Sequence, residues 1–175
     1  MPPAGDIQKL IQKGRQEFAS RSYQAAADTF ESAALAFTSQ GDPLSAAEMN
    51  NNRSVALLKA GMHQQALDAA LGTDIIFAQT DDKKRQAMAF GNQAAALEEL
   101  KRFDEALDLY QKSADLFAEL GEGDLRSTVL KSAAAIKLKR GQLLDSGMKM
   151  IGSLEAKDRP SIFDRILKFI LRLGK

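Results

Sequence analysis

Cysteine and tryptophan are absent from the 175 residues, histidine occurs once, tyrosine twice and proline four times. Without cysteine there are no disulfides, thiolate nucleophiles or zinc–thiolate sites. The same absence fits a reducing compartment, so a cytoplasmic location is expected. No apolar run approaches the ~20 residues that a membrane-spanning helix needs. The start, Met1–Asp6, has neither the basic region nor the apolar core of a signal peptide, so none is expected. An excess of one charge is missing too. Lysine and arginine number 24 against 23 aspartates and glutamates, which leaves no global field to draw the chain to nucleic acid.

Alanine, leucine, glutamine, lysine and glutamate fill the chain, a composition that favours helix, and no stretch reads as a strand. The order in these residues is a period of 40. Tyr23 and Ala26, His63 and Ala66, Phe103 and Ala106, Leu143 and Ser146 repeat a large residue followed three places later by a small one. Phe37, Phe77 and Phe117 share another repeat position, which Lys157 breaks in the fourth unit. Small residues at a fixed place let two helices approach closely, and the larger neighbour fills the gap beside them.

Within each unit the apolar positions recur at helical spacing on both sides of a short break, as in Phe90, Ala94, Leu97 and Leu100, then Ala106, Leu109, Tyr110 and Phe117. The breaks carry helix-stop and helix-start chemistry at Gly41-Asp42-Pro43, Gly61, Asp81-Asp82, Gly121-Glu122-Gly123-Asp124 and Gly141. Eight repeat helices are expected, near 6–20, 23–39, 43–60, 63–79, 82–100, 103–120, 123–140 and 142–156. A helical hairpin cannot bury two apolar sides alone, so the units are expected to stack. The expected fold is all-α: a right-handed superhelical solenoid of four hairpins over residues 1–157. Its repeats fall at about 6–42, 43–81, 82–122 and 123–157.

The motif residues of the third unit resemble the tetratricopeptide repeat, whose pattern is 34 residues long. Starting at Ala87, this unit places Phe90, Asn92, Ala94, Phe103, Ala106, Tyr110 and Ser113 at the family's signature places. The second unit contributes Ser54, Gly61, Ala66 and Thr73, and the first Gly14, Tyr23, Ala26, Phe30 and Ala33. The longer period resembles the repeats of kinesin light chains and spindle-orientation adaptors. The resemblance implies a module that holds an extended peptide of a partner protein in a concave groove and performs no catalysis.

Peptide contact is expected from a polar stripe of one side chain per repeat, Gln12, Asn52, Asn92 and Ser132, because amides both donate to and accept from a peptide backbone. Hydrogen bonding between helices and plain solvation are the alternatives for the same stripe. Gln8, Arg15, Glu48, Asn51, Val55, Met88, Ala95, Thr128, Lys131 and Lys139 lie around it, with Arg15, Lys131 and Lys139 as cations suited to a partner's carboxylate. His63 aligns with Tyr23 and Phe103 and reads as a packing residue. Neighbouring carboxylates such as Glu98-Glu99 diverge by 100° on a helix and do not converge on a substrate. No catalytic residue, metal or cofactor is expected.

Pro160 opens a last segment, 158–175, which reads as an amphipathic helix. Its apolar arc is wider than one capping contact requires. The segment is expected to cap the solenoid. Phe163, Leu167 and Leu171 are candidates for contact with a second copy or a partner, as a monomer or weak homodimer. The basic edge of Arg165, Lys168 and Arg172 leaves contact with an anionic membrane open as the alternative.

Overall fold

The computed structural model describes residues 4–155, with the side chains of residues 6–142, Leu144 and Met148. Among them the regular structure is entirely helical. The helices are α1 (Ala4–Ala19), α2 (Tyr23–Ser39), α3 (Pro43–Lys59), α4 (His63–Ala70), α5 (Thr73–Gln79), α6 (Lys83–Glu99), α7 (Phe103–Glu119) and α8 (Gly123–Glu155). By contact density the chain divides into two units, Met1–Ala133 and Ala134–Lys175. None of the described helices is long and apolar enough to cross a membrane.

In the first unit one turn is used six times. Residues 21, 41, 61, 81, 101 and 121 all take the left-handed conformation, with φ between 54° and 77°. At each turn the next residue's N–H donates to a carbonyl five places back, as from Ser22 to Glu17, Met62 to Leu57 and Arg102 to Leu97, at 2.9 Å each. The left-handed residue itself donates three places back, as from Gly61 to Leu58 at 3.1 Å. These paired bonds make a Schellman motif, which satisfies the last carbonyls of one helix while reversing the chain. Asp42 and Asp82 then cap the helices that follow by accepting from the amides of Ser45 and Arg85 at 2.9 and 3.0 Å. The hydroxyl and amide of Ser45 hold the Asp42 carboxyl below its ordinary pKa.

The turns set up hairpins: α1 with α2, α3 with α4, and α6 with α7. Beyond these pairs, α2 packs on α3, and α6 on α3, α4 and α5. Alanine lines most of these contacts. Ala26, Ala66 and Ala106, the small members of the repeated pairs, are all fully buried, which permits the short end of the usual 8–10 Å helix separation. At Gly14 the approach is closer still, since a Cβ there would meet the Phe30 ring at 2.8 Å. Ala94 and Tyr110 occupy the same two places two repeats later. Of the three rings at the Phe37 repeat position, Phe77 (0% exposed) and Phe117 (3%) are core residues, while Phe37 is half-buried. Phe77 packs with Ala47 and Ala89, flanked by Leu44 and Ile76.

Two expected elements differ. The helix expected over 63–79 is broken after Ala70, and Gly72, at φ 80°, takes the left-handed turn between α4 and α5. The fourth hairpin, expected to bend at Gly141, does not form, because α8 continues unbroken from Gly123 to Glu155. The apolar places that fold a second helix back onto its first are lost here. Lys149 stands where Leu109 does one repeat earlier, Ser146 where Ala106 does and Lys157 where Phe117 does. Without that packing, one glycine in a helix costs only ~1 kcal/mol and does not end it.

Candidate functional site

In the first unit, α1, α2 and α3 enclose a cleft of about 250 Å³ lined by Arg15, Phe18, Phe30, Glu48, Asn52 and Val55. Helical spacing puts these side chains on common faces, since Arg15 and Phe18 are three apart on α1, and Glu48, Asn52 and Val55 are four and three apart on α3. Phe30 reaches the cleft floor from α2 because Gly14 leaves its ring room. Phe18 is held edge-on against Tyr23 with ring centroids 5.2 Å apart.

The charges on this cleft are not equivalent. Glu48 pairs with Arg85 at 3.2 Å, and Arg85 also meets Asp82 at 3.1 Å. Arg15 is exposed and forms no ion pair among the described residues. The cleft therefore offers a guanidinium with five free donors, an amide that both donates and accepts, and an apolar floor of two rings and a valine.

The structure thus brings together Arg15, Glu48, Asn52 and Val55 from the residues expected to line a peptide groove. Gln8 and Gln12 are exposed on α1 but do not line the cleft, and Met88 (47% exposed) and half-buried Asn92 stand on α6 outside it. Asn51 corrects the expected lining. It is buried, and its side-chain oxygen accepts a hydrogen bond from the Thr73 hydroxyl at 3.1 Å, so it belongs to the packing between α3 and α5. Adjacent helical positions diverge by 100°, so Asn51 turns inward where Asn52 turns outward. Ser132 hydrogen-bonds the Tyr110 hydroxyl, and Lys131 is exposed. Burial pushes the Tyr110 pKa up; the Ser132 hydroxyl opposes this and the nearby Glu98 carboxylate adds to it. Tyr110 also donates to Glu98 at 3.1 Å. Phe163, Leu167 and Leu171 lie outside the described residues.

Sequence spacing gave no sign of a second, larger cleft. About 360 Å³ in volume, it lies between α4, α6 and α7, with Leu67, Leu71, Leu97 and Leu109 among its walls. It borders the helix break. There the Ala70 carbonyl accepts from Gln93 Nε2 at 3.1 Å and from the Thr73 hydroxyl at 2.8 Å, and Gln93 also donates to Asp74 at 2.7 Å. Gln93 thus bonds to residues on either side of Gly72, and that glycine within an apolar-periodic stretch is the signal that could have located this break. His63, expected to pack, is half-buried. Among the described residues no group of three or more histidine or acidic side chains is placed to hold a metal ion. No protein-family model matches the chain, and comparison with curated proteins yields no match.

Proposed function

We propose that this chain is a protein-interaction module of the tetratricopeptide type, whose hairpins stack as a solenoid and whose first helices present a groove for an extended partner peptide. The observation that carries the reading is the α1–α2–α3 cleft, where an unpaired guanidinium and a half-buried amide converge over an apolar floor. A peptide backbone needs both donors and acceptors, which Asn52 supplies. A carboxylate on the partner is met by Arg15, and an apolar side chain by Phe18, Phe30 and Val55. The six like turns support the stacked arrangement, because each reverses the chain with the same left-handed residue and the same pair of hydrogen bonds. In this reading the chain positions a partner and performs no chemistry of its own.

The test is affinity capture from native lysate with the full chain and with the Arg15→Ala/Asn52→Ala double variant, alongside thermal melts of both. Both side chains reach solvent, so the melting temperature is expected to hold while a specific partner is lost. A partner retained by the folded double variant would refute the reading.

A further inference from the structure

The cleft between α4, α6 and α7 has no part in the peptide groove proposed above. Its wall contains a large apolar side chain left in solvent, Leu71, at 58% exposure, directly beside buried Leu67 and Leu97. Leu71 is the C-cap of α4, with an extended ψ of 131°. The equivalent place in the continuous α7, Gln111, is exposed as well, so the second hairpin puts a leucine where the third has a polar side chain.

The cleft's own rim holds two acids, Glu105 and Asp108, and two bases, Arg102 and Lys112, but the segment around it is acidic. Residues 63–122 carry twelve acidic and six basic side chains, a net charge of −6 in a chain whose total is +1. On α7 alone Asp104, Glu105, Asp108, Asp115 and Glu119 are all exposed, against the single base Lys112. At the cleft rim, Glu105 is neutralised by Arg102 through two short hydrogen bonds of 2.7 and 2.6 Å. Lys112 leans over the Phe90 ring at 5.7 Å. Asp108 forms no ion pair among the described residues, so it is the rim charge left for a ligand.

We propose that this cleft docks a cationic amphipathic helix of a partner protein. One leucine-sized side chain of that helix enters beside Leu71, and a lysine or arginine one turn away meets Asp108. The acidic field of α7 steers the approach, and the apolar hollow provides the residence.

Binding of a leucine–lysine amphipathic helical peptide and of its leucine–glutamate counterpart to the full-length Arg15→Ala/Asn52→Ala chain, in which the acid-reading groove is disabled, followed by fluorescence anisotropy, tests this. The lysine peptide is expected to bind at least about tenfold more tightly than the glutamate peptide, and to weaken as salt is raised. Leu71→Ser and Asp108→Lys are each expected to weaken it by about five- to tenfold. Both residues are exposed, so unchanged circular dichroism is expected. Equal binding of the two peptides would overturn the proposal, as would affinity indifferent to both α4–α7 variants. Self-association of the full chain that is abolished by Asp108→Lys would replace the partner helix with a second copy and overturn it as well.

Discussion

The second and third hairpins have the same turns and the same length, yet one has a broken second helix and the other a continuous one. The difference is traced to two equivalent pairs of residues. In the third hairpin Gly91 faces Ser113, close enough that a Cβ at Gly91 would lie 3.6 Å from the serine hydroxyl. In the second the same places hold Asn51 and Thr73, joined by a hydrogen bond. A buried amide must find partners, and here they come from residues freed where the helix parts. Gly72, where the third hairpin has Lys112, makes the parting inexpensive. One repeat therefore trades helix continuity for a buried polar network, and it carries a leucine at an outward place where the other has Gln111.

The largest expected effect comes from the ring that both hairpins share. Phe77→Ala removes a side chain fully buried between α3, α5 and α6 and is expected to cost about 3–5 kcal/mol in urea unfolding. A loss near 1 kcal/mol would mean that this repeat closes over the void. Importing the second hairpin's amide into the third tests the comparison itself. Gly91→Asn should overpack the α6–α7 contact by roughly 1–3 kcal/mol, and little change would show that the pair at 91 and 113 does not decide helix continuity. Removing the hydroxyl with Thr73→Val leaves the Asn51 oxygen buried without its donor, at about 1–3 kcal/mol by the same measurement.

The smallest effects lie in the turns. Lys101 holds a left-handed conformation that Gly61 adopts without strain. Lys101→Gly should then raise stability by about 0.5–1 kcal/mol, and Gly61→Ala should lower it by about 1 kcal/mol. No change in either would show that the turns tolerate any residue.

The pH dependence follows from Tyr110. Its folded pKa is raised, so the stability it contributes is present below the ordinary phenol range near ~10 and is lost as the pH climbs through that range, where only the unfolded chain ionises. Tyr110→Phe should flatten the alkaline limb of a stability profile. An unchanged slope would mean that the phenol titrates normally.

Much of this was legible in the residues. The large–small pairs ending at Ala26, Ala66 and Ala106 marked buried helix contacts, and Gly41-Asp42-Pro43 spelled out a stop and a restart. Both depend on local chemistry. The break at Gly72 was missed because a single glycine in an apolar-periodic stretch is normally tolerated, and its partners Asn51 and Gln93 lie about twenty residues away in sequence. The continuity of α8 was missed because Gly141 keeps the repeat register while the packing that makes a glycine a turn has eroded around it. For the site, spacing placed Arg15, Asn52 and Val55 together. It could not tell Asn51 from Asn52, since the choice of which amide turns inward was made by Thr73 on another helix.

The most direct test is selection of peptides from a displayed random library against the full chain, with the winners titrated on wild type and on Arg15→Ala/Asn52→Ala. A groove that reads peptides predicts enriched sequences pairing an acidic with an apolar residue, bound at least about tenfold more weakly by the folded double variant. Selection without enrichment, or winners that bind both chains equally, would contradict it.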